Sequence, residues 1–344
     1  MTKLVFITQQ VDPGHPALAA TVPKIRALAA RADELVVLAD GAVEGVLPDN
    51  CRVRTFRAPY KALRGARFEA ALSRELRGLR GGAVIAHMCP IYAVLAAPLV
   101  RPLAVPLVLW FTHWRSSGLL KAAERASTAV TSVDERSFPL RSTKLRAIGH
   151  GIDIDEFPCS PPRDGPGTRL LALGRYSTAK GLDVAVAAVP LAGDDVELDV
   201  HGPALSDEER AHRSELEQLV SELGLDGRVT IGDAVPRSEL PSLLATHDAL
   251  VNNMRAGAPD KVVYEAAAAC LPVLASNPIF DGLLDAEQRF VRWDPGALAD
   301  RIRSLSQMTL DERTAIGHRL RERVAAGHSV ESWARGILGA AGLA

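Results

Sequence analysis

The chain has 344 residues, of which 47% are hydrophobic and 24% are charged. This composition is ordinary for globular proteins and excludes an intrinsically disordered or collagen-like chain. The formal net charge of −1 argues against a nucleic-acid-binding protein. The length corresponds to about two average domains, because single hydrophobic cores stop growing near roughly 250–300 residues.

The charge is divided unevenly along the chain. Residues 1–150 hold 21 basic and 11 acidic side chains, a formal charge of +10. Residues 151–344 hold 19 basic and 30 acidic side chains, a formal charge of −11. This asymmetry indicates two bodies with different surfaces.

The cysteines and the first residues bear on the cellular compartment. Cys51, Cys89, Cys159 and Cys270 lie far apart and form no C-x-x-C pair. We therefore expect neither a zinc site nor a disulfide framework. We expect the protein to reside in a reducing compartment. The N-terminus lacks the features of a signal peptide, and no apolar stretch reaches the roughly 20 residues that span a bilayer. We expect a cytoplasmic protein that can touch a membrane surface.

Short apolar segments alternate with helical stretches along the whole chain. Strands are predicted over 4–8, 34–38, 52–56, 83–87, 107–112, 129–133, 144–148, 169–173, 197–201, 228–231, 249–252, 273–275 and 290–293. Helices are predicted over 17–31, 62–79, 91–100, 117–126, 181–190, 207–223, 238–246, 261–270, 296–305 and 310–325. Continuous apolar strands alternating with amphipathic helices imply parallel sheets that are covered on both faces.

Residues 158–167 separate two such halves. This segment contains four prolines and two glycines, a composition typical of a linker, and the strand–helix pattern restarts after it. We predict an α/β protein with two doubly wound Rossmann-like domains that face a central cleft, over 1–157 and 158–327. The final residues, 328–344, form a predicted helix that needs a surface to cover.

Two strand–turn–helix segments in the second half carry basic residues at a helix N-terminus. In the first, Gly174, Arg175 and Lys180 follow a strand. Free backbone N–H groups at the start of the next helix add partial positive charge. The segment therefore favours a diphosphate site. The alternative is that Arg175 and Lys180 are solvated loop charges.

The second segment runs from Pro259 to Glu265. Asp260 suits the N-cap of the helix, and Lys261 falls in its first turn, where a cation opposes the helix dipole. An anion that binds there would offset this cost. Glu265 lies one turn later on the same face. Either Lys261 and Glu265 form a surface ion pair, or Lys261 binds a phosphate while Glu265 accepts hydrogen bonds from ribose hydroxyls.

Five segments resemble the retaining, nucleotide-sugar-dependent glycosyltransferases of family 4, which have the GT-B architecture. They are IGHGIDIDEFP (148–158), LLALGRYSTAKGLDVAVAAV (170–189), VELDVHGP (196–203), RVTIGDAVPRSELPSLLATHDALVNN (228–253) and KVVYEAAAACLPVLAS (261–276). They occur in the order and spacing of the family, whereas the resemblance over 1–144 is weak. The family's last helix crosses back onto its first domain, which implies that 328–344 completes the domain at 1–157.

The resemblance implies roles for the matching residues. Arg175 and Lys180 would bind the donor diphosphate and stabilise its departing charge, and Glu265 would hold the ribose. His113, at the end of a first-half strand, matches the family's histidine near the transferred sugar, although a lone histidine is more often structural. Gly14 matches the glycine turn after the first strand, where the backbone approaches the ligand.

The chain departs from the family at one position. The family commonly carries two glutamates eight positions apart, of which the second is Glu265 and the first would fall at Gly257. Backbone N–H groups of Gly257 and Ala258 would then contact the donor instead. The predicted donor site comprises Gly14, Gly174, Arg175, Lys180, Gly257, Ala258, Asp260, Lys261 and Glu265, and the predicted catalytic residues are Arg175, Lys180 and His113.

The sequence thus predicts a retaining glycosyltransferase. It would move a sugar from a nucleoside-diphosphate sugar to a hydroxyl of a small-molecule, glycan or lipid-linked acceptor. We expect no cofactor and no obligatory metal, because Arg175 and Lys180 supply the positive charge that a metal would bring. One alternative is a nucleotide-sugar 2-epimerase of the same architecture, which needs further acid/base carboxylates. Another is a non-catalytic two-lobed ligand-binding protein, which the paired basic turns disfavour.

Basic side chains are concentrated between residues 52 and 80. Nine lysines and arginines face only two glutamates there, and Arg74, Arg77 and Arg80 recur every three residues. Such a helix can lie on an anionic membrane or receive an anionic acceptor. The alternative is an ordinary solvated face.

Overall fold

The computed structural model describes residues 2–15, 18–79 and 81–343 and divides the chain into two units. Unit 1 comprises Met1–Asp153 and Gly327–Ala344, and unit 2 comprises Ile154–Ala326. Each unit is built on its own parallel β-sheet. Among the described helices, none combines the length and the apolar character needed to cross a bilayer.

Unit 1 contains, among its described residues, a seven-stranded sheet in the order β3–β2–β1–β4–β5–β6–β7. The strands are β1 (Lys3–Val11), β2 (Glu34–Ala42), β3 (Cys51–Thr55), β4 (Ala83–His87), β5 (Leu107–Trp110), β6 (Ala129–Ser132) and β7 (Leu145–Ala147). The helices are α1 (Thr21–Ala29), α2 (Lys61–Leu76), α3 (Pro90–Val100), α4 (Gly118–Ala126) and α11 (Val330–Ala341). Every strand predicted for the first half is present. Residue 17, where the first helix is predicted to begin, lies outside the described residues.

The two faces of this sheet are buried under different helices. Val5 and Ile7 of β1 belong to the same buried cluster as Phe68 of α2. Phe6, between them, contacts Trp333 of α11, with ring centroids 6.4 Å apart. Successive side chains of a strand point to opposite faces, which explains why residues 4–7 of β1 are all apolar. The fully buried Trp333 shows that α11 covers the sheet of unit 1.

Ser329 caps the N-terminus of α11. Its hydroxyl accepts a hydrogen bond from the Ser332 N–H at 3.1 Å, and the residue is buried. Ser329→Ala is expected to lower the free energy of unfolding by about 1–2 kcal/mol, because the partly buried Ser332 N–H loses its partner. Urea denaturation followed by tryptophan fluorescence measures this loss. The matched control is Ser304→Ala on an exposed helix face, and equal losses in both variants would contradict the capping role.

Unit 2, all of whose residues are described, contains a five-stranded parallel sheet in the order β10–β9–β8–β11–β12. The strands are β8 (Thr168–Leu173), β9 (Val196–His201), β10 (Val229–Gly232), β11 (Ala249–Asn252) and β12 (Val273–Ala275). The helices are α5 (Leu182–Ala192), α6 (Asp207–Glu222), α7 (Leu240–Ala245), α8 (Lys261–Ala268), α9 (Pro295–Ser306) and α10 (Leu310–Gly327). The predicted class of two parallel α/β units is therefore confirmed.

The strand predicted at 290–293 is wrong. These residues are all described and form no strand, and only a single bridge joins Arg289 to Ala275 of β12. Trp293 has a φ of +65°, in the left-handed region. A strand cannot continue through that backbone conformation, so the chain turns there instead.

The expectation of no disulfide is also wrong. Cys159 and Cys270 form a disulfide, with their Cα atoms 5.0 Å apart across 111 residues of sequence. The chain after the unit boundary lies against the end of α8, where the Ser160 N–H donates to the Ala269 carbonyl at 3.4 Å. Sequence spacing could not indicate this pair, because the fold alone brings it together. The prediction of a reducing compartment loses its support from cysteine spacing.

Candidate functional site

Most of the predicted site residues lie at one edge of the sheet of unit 2. Gly174 and Arg175 directly follow β8, and the loop after β11 leads through Asp260 to Lys261, where α8 begins. Strands β8 and β11 are neighbours in the sheet. Because parallel strands end at the same edge, these two loops lie side by side.

Lys180 is almost buried at this edge. Its side chain lies over Gly174, and its Nζ donates to the Leu173 carbonyl at 3.1 Å. It also forms an ion pair with Asp260, which accepts a second hydrogen bond from Asn252 Nδ2 at 2.7 Å. Asp260 occupies the predicted N-cap position of α8, but its side chain makes no capping bond to the helix in this fully described unit. The carboxylate faces Lys180 instead.

Arg175 faces a different carboxylate from Lys180. Its Nε lies 3.3 Å from Oε1 of Glu209, and its side chain is 58% exposed. Ion pairs in such solvated positions contribute little to stability. Arg175 is therefore weakly held and can turn towards an incoming anion.

Glu265 is a buried carboxylate, 1% exposed, on the first turns of α8. Its Oε1 accepts a hydrogen bond from Arg237 Nη1 at 2.7 Å and lies 3.0 Å from Lys261 Nζ. Burial would raise the pKa of Glu265, but the attraction of Lys261 and Arg237 outweighs it and holds the pKa below 4.5. Glu265 is thus ionised at neutral pH and can accept hydrogen bonds from two hydroxyl groups.

Arg237 is a site residue that the sequence did not reveal. It follows β10, and its guanidinium bridges the carboxylates of Glu265 and Glu156. The guanidinium also lies 5.5 Å from the ring centroid of Phe157. Burial would lower the pKa of Arg237, but both carboxylates raise it. Because 28 residues separate Arg237 from Glu265, no local spacing could indicate the pair.

A further pair of arginines lies beside the turn that carries Lys180. Arg292 donates to the carbonyl of Asn253 from Nε at 3.3 Å and to that of Ala179 from Nη2 at 3.5 Å. The Arg255 N–H donates to the same Ala179 carbonyl at 3.0 Å. Burial and the charge of Arg255 lower the pKa of Arg292. These arginines add positive charge next to the start of α5 and favour an anion there.

The loop through Gly257, where the family that the sequence resembles would carry a glutamate, has its own geometry. Gly257 has a φ of +79°, where a glutamate would be strained. Ala258 is buried, and its carbonyl accepts a hydrogen bond from Asn277 Nδ2 at 2.9 Å. The backbone conformation therefore explains why a glycine stands at this position. A contact between this loop and the donor stays a prediction.

His113 and Gly14 lie in unit 1, after the strands β5 and β1. His113 Nδ1 accepts a hydrogen bond from the Arg115 N–H at 2.9 Å. Partial burial of the ring and the nearby charge of Arg115 lower the pKa of His113, so the ring is neutral at pH 7. The Gly14 N–H donates to Asp12 Oδ1 at 2.8 Å. Their roles in the reaction stay predictions.

The basic segment 52–80 is partly neutralised within unit 1. Buried Glu75 pairs with Lys3 Nζ at 2.9 Å and with Arg54 Nε at 2.5 Å. Arg80 lies outside the described residues. The exposed basic side chains of the segment are Arg52, Arg57, Lys61, Arg67, Arg74 and Arg77.

Comparison with known proteins shows which fold the chain shares and which sequence family part of unit 2 matches. Residues 167–308 match the sequence family described as glycosyl transferases group 1. No curated protein matches the chain in sequence. Among solved structures, Anabaena HepE in complex with UDP superposes with a TM-score of 0.76 and 19% identity over 98% of both chains.

Two further solved structures are similar. Sucrose-phosphate synthase from Thermosynechococcus elongatus has a TM-score of 0.73 and 17% identity, covering 98% of this chain and 97% of its own. Trehalose-6-phosphate synthase OtsA has a TM-score of 0.73 and 12% identity over 99% of both chains. At such identities the likeness establishes the fold, and it confirms the predicted GT-B architecture.

Proposed function

We propose that this chain, whose residues 167–308 match the family described as glycosyl transferases group 1, is a glycosyltransferase that moves a sugar from a nucleoside-diphosphate sugar to an acceptor hydroxyl with retention. The observation that carries the proposal is the edge of unit 2 where Lys180 and Lys261 stand at two helix N-termini, beside Asp260 and Glu265. The similar protein HepE has been solved in complex with UDP, with UDP and glucose, and with UDP-glucose, which supports a UDP-sugar donor.

Donor binding is an exchange of counter-ions at Lys180. A diphosphate at the start of α5 carries more negative charge than Asp260, and it also receives the free N–H groups of the helix. Arg175 turns from Glu209 to add a charged hydrogen bond. The ionised Glu265 accepts hydrogen bonds from the ribose hydroxyls and orients the nucleoside.

Catalysis follows from charge that grows during bond breaking. As the bond between the anomeric carbon and the diphosphate oxygen breaks, the leaving diphosphate becomes more negative. Lys180 and Arg175 bind this state more strongly than the intact donor, which lowers the barrier. Retention corresponds to attack of the acceptor hydroxyl on the face that the diphosphate leaves. These cations supply the positive charge, so the proposal includes no obligatory metal.

A thermal-shift series with UDP, GDP, ADP and TDP sugars tests the donor. We expect one base to raise the melting temperature, because a ligand at about 100 times its Kd stabilises the folded state by about 2.7 kcal/mol. Arg175→Ala should weaken this shift. If no nucleotide stabilises the protein and Arg175→Ala changes nothing, the proposal is wrong.

Incubation of the protein with the identified donor, without an acceptor, distinguishes a glycosyltransferase from a 2-epimerase. A glycosyltransferase leaves the donor sugar unchanged or slowly hydrolyses it, whereas a 2-epimerase produces the epimeric sugar. Proton NMR of the anomeric signals distinguishes these products. The same signals, recorded with an acceptor, report whether the anomeric configuration is retained.

We propose in addition that the basic segment 52–80 contacts an anionic membrane surface. Tyr60 is 73% exposed and Leu63 is 42% exposed at the start of α2, next to Lys61 and Arg67. Apolar side chains flanked by cations are what an interfacial helix needs. Hydroxyl acceptors that are lipid-linked would then lie near the enzyme.

Sedimentation with phosphatidylserine vesicles tests this contact. Each basic residue near an anionic surface contributes about 1 kcal/mol, so Arg67→Gln/Arg74→Gln/Arg77→Gln should weaken binding by about 100-fold at low salt. The matched control changes the exposed arginines of unit 2, Arg210, Arg303 and Arg319, to glutamine. Equal sedimentation of the wild-type protein with neutral and anionic vesicles would contradict the contact.

A further inference from the structure

Three side chains with metal-binding atoms meet at the end of α8 opposite Lys261. Cys159 lies on the chain just after the unit boundary, Cys270 follows α8, and His318 lies on α10. His318 Nδ1 is 3.9 Å from the Sγ atom of Cys159 and 3.9 Å from that of Cys270. One ligand atom from each residue lies within 4.8 Å of the other two. The donor site described above uses none of the three.

The imidazole is not explained by the disulfide. A disulfide stabilises a protein mainly by constraining the unfolded chain, and it needs no third partner. Here a ring nitrogen stands at equal distances from both sulfur atoms. In tetrahedral zinc coordination, ligand sulfur and nitrogen atoms are about 3.6 Å apart, since the bonds measure about 2.3 and 2.0–2.1 Å. His318 therefore already lies close to the position that a shared cation requires.

The backbone at Cys270 also indicates a role for its side chain. Cys270 has a φ of +62° at the C-terminal end of α8, a position that glycine usually occupies. A left-handed conformation is unfavourable for a non-glycine residue, because its Cβ lies too close to the following carbonyl oxygen. This cost accompanies the placement of the Cys270 sulfur beside Cys159 and His318, both of which are exposed.

Room for an ion is present at the surface. A cavity of about 280 Å³ is lined by both cysteines, His318, Thr314 and the 160–162 segment. A water molecule occupies about 30 Å³ in the liquid, so the cavity can admit a hydrated cation.

We propose that Cys159, Cys270 and His318 form a binding site for a thiophilic divalent cation, Zn²⁺, in the reduced protein. A dithiol reductant breaks the S–S bond: two electrons and two protons convert the disulfide into two thiols, and the reductant is oxidised to its own disulfide. Zn²⁺ then displaces both thiol protons, and the neutral imidazole supplies a nitrogen lone pair. The bound cation restores the link between the 159 segment and α8 that reduction breaks.

Metal titration of the full-length chain tests the proposal. The protein is reduced, freed of reductant under anaerobic conditions and titrated with Co²⁺. One equivalent is expected to produce thiolate-to-cobalt charge-transfer absorption and the visible bands of a tetrahedral ion, and Zn²⁺ is expected to displace it. The oxidised protein is expected to produce neither signal.

Variants assign the ligands. His318→Ala should weaken Zn²⁺ binding by more than about tenfold, because loss of an outer-shell partner alone already costs that much in metal sites. Cys159→Ser should remove most of the charge-transfer absorption. Cys51→Ser is the matched control and should bind Zn²⁺ as the wild-type protein does. Absence of Co²⁺ binding to the reduced protein, or unchanged affinity in His318→Ala, overturns the proposal.

Alkylation of the wild-type protein tests the proposal without relying on variants that could fail to fold. In the reduced wild-type protein, Zn²⁺ should slow the alkylation of Cys159 and Cys270 by iodoacetamide, while Cys51 reacts at an unchanged rate. Peptide mass spectrometry reads each cysteine separately. Alkylation of Cys159 at the same rate with and without Zn²⁺ overturns the proposal as well.

Discussion

Replacement of Lys180 by methionine is expected to lower kcat/KM for sugar transfer by about 10²–10³-fold. The leaving diphosphate gains negative charge in the transition state, and loss of one well-placed donor typically costs this much. The side chain of Lys180 is only 11% exposed, so water replaces the missing charge poorly. Methionine keeps the stem that lies over Gly174 but carries no charge. Initial rates with the donor found by thermal shift measure the effect.

The structure offers controls for Lys180→Met. Asp260 retains its hydrogen bond from Asn252 Nδ2 at 2.7 Å, so the variant is expected to fold. Circular dichroism and thermal unfolding verify this. Lys121→Met removes an exposed lysine of α4 and should leave the rate within about twofold of the wild-type value. A folded Lys180→Met protein with wild-type kcat/KM would exclude Lys180 from catalysis.

Glu265→Gln is expected to weaken the binding of the nucleoside diphosphate by about 10–100-fold. Hydrogen bonds to a charged group contribute about 1.5–3 kcal/mol, and glutamine keeps the shape of the side chain without its charge. Arg237 and Lys261 then face a neutral amide, which also disturbs the ribose contact. Isothermal titration with UDP measures the change. The matched control is Glu222→Gln on the exposed face of α6, which should bind UDP normally.

The same carboxylate is expected to make stability depend on pH. Burial would raise the pKa of Glu265, but the charges of Lys261 and Arg237 outweigh burial. They lower this pKa from its ordinary value of 4.5. Between the folded pKa and 4.5, the unfolded chain binds a proton that the folded chain does not. The contribution of ionised Glu265 to the free energy of unfolding is therefore complete above this pH range. It is lost as the pH falls through the pKa of Glu265 in the folded protein.

Urea denaturation of wild-type and Glu265→Gln proteins across this pH range isolates the effect. Other carboxylates with lowered pKa values, among them Glu75 and Asp285, contribute equally to both proteins. The stability advantage of the wild-type protein over the variant should shrink as the pH falls below 4.5. A constant difference between the two proteins across the range would show that Glu265 is not held ionised by its neighbours.

Local patterns determined much of the fold. Buried parallel strands carry continuous apolar runs because both faces are covered, so the runs at 4–7 and 170–173 make the segments 4–8 and 169–173 recognisable as strands. The exception is the strand predicted at 290–293, where the left-handed Trp293 turns the chain. Apolar composition alone does not report a backbone dihedral angle.

In the candidate site too, one residue pair was predictable from the sequence and others were not. The Lys261–Glu265 pair was predictable from its spacing, because residues four apart share one face of a helix. The Lys180–Asp260 pair spans 80 residues, and the Arg237–Glu265 pair spans 28. The order of strands in the sheet places these partners together, and no single segment of sequence records that order.

The sequence by itself determined which segments become strands and helices, and which helices begin with a cation. Those properties depend on neighbours within one or two turns of chain. Only the tertiary structure decided that Asp260 neutralises Lys180 rather than capping α8, and that Cys159 meets Cys270 and His318. Such pairings depend on the packing of distant segments, whose separation along the chain carries no spatial information.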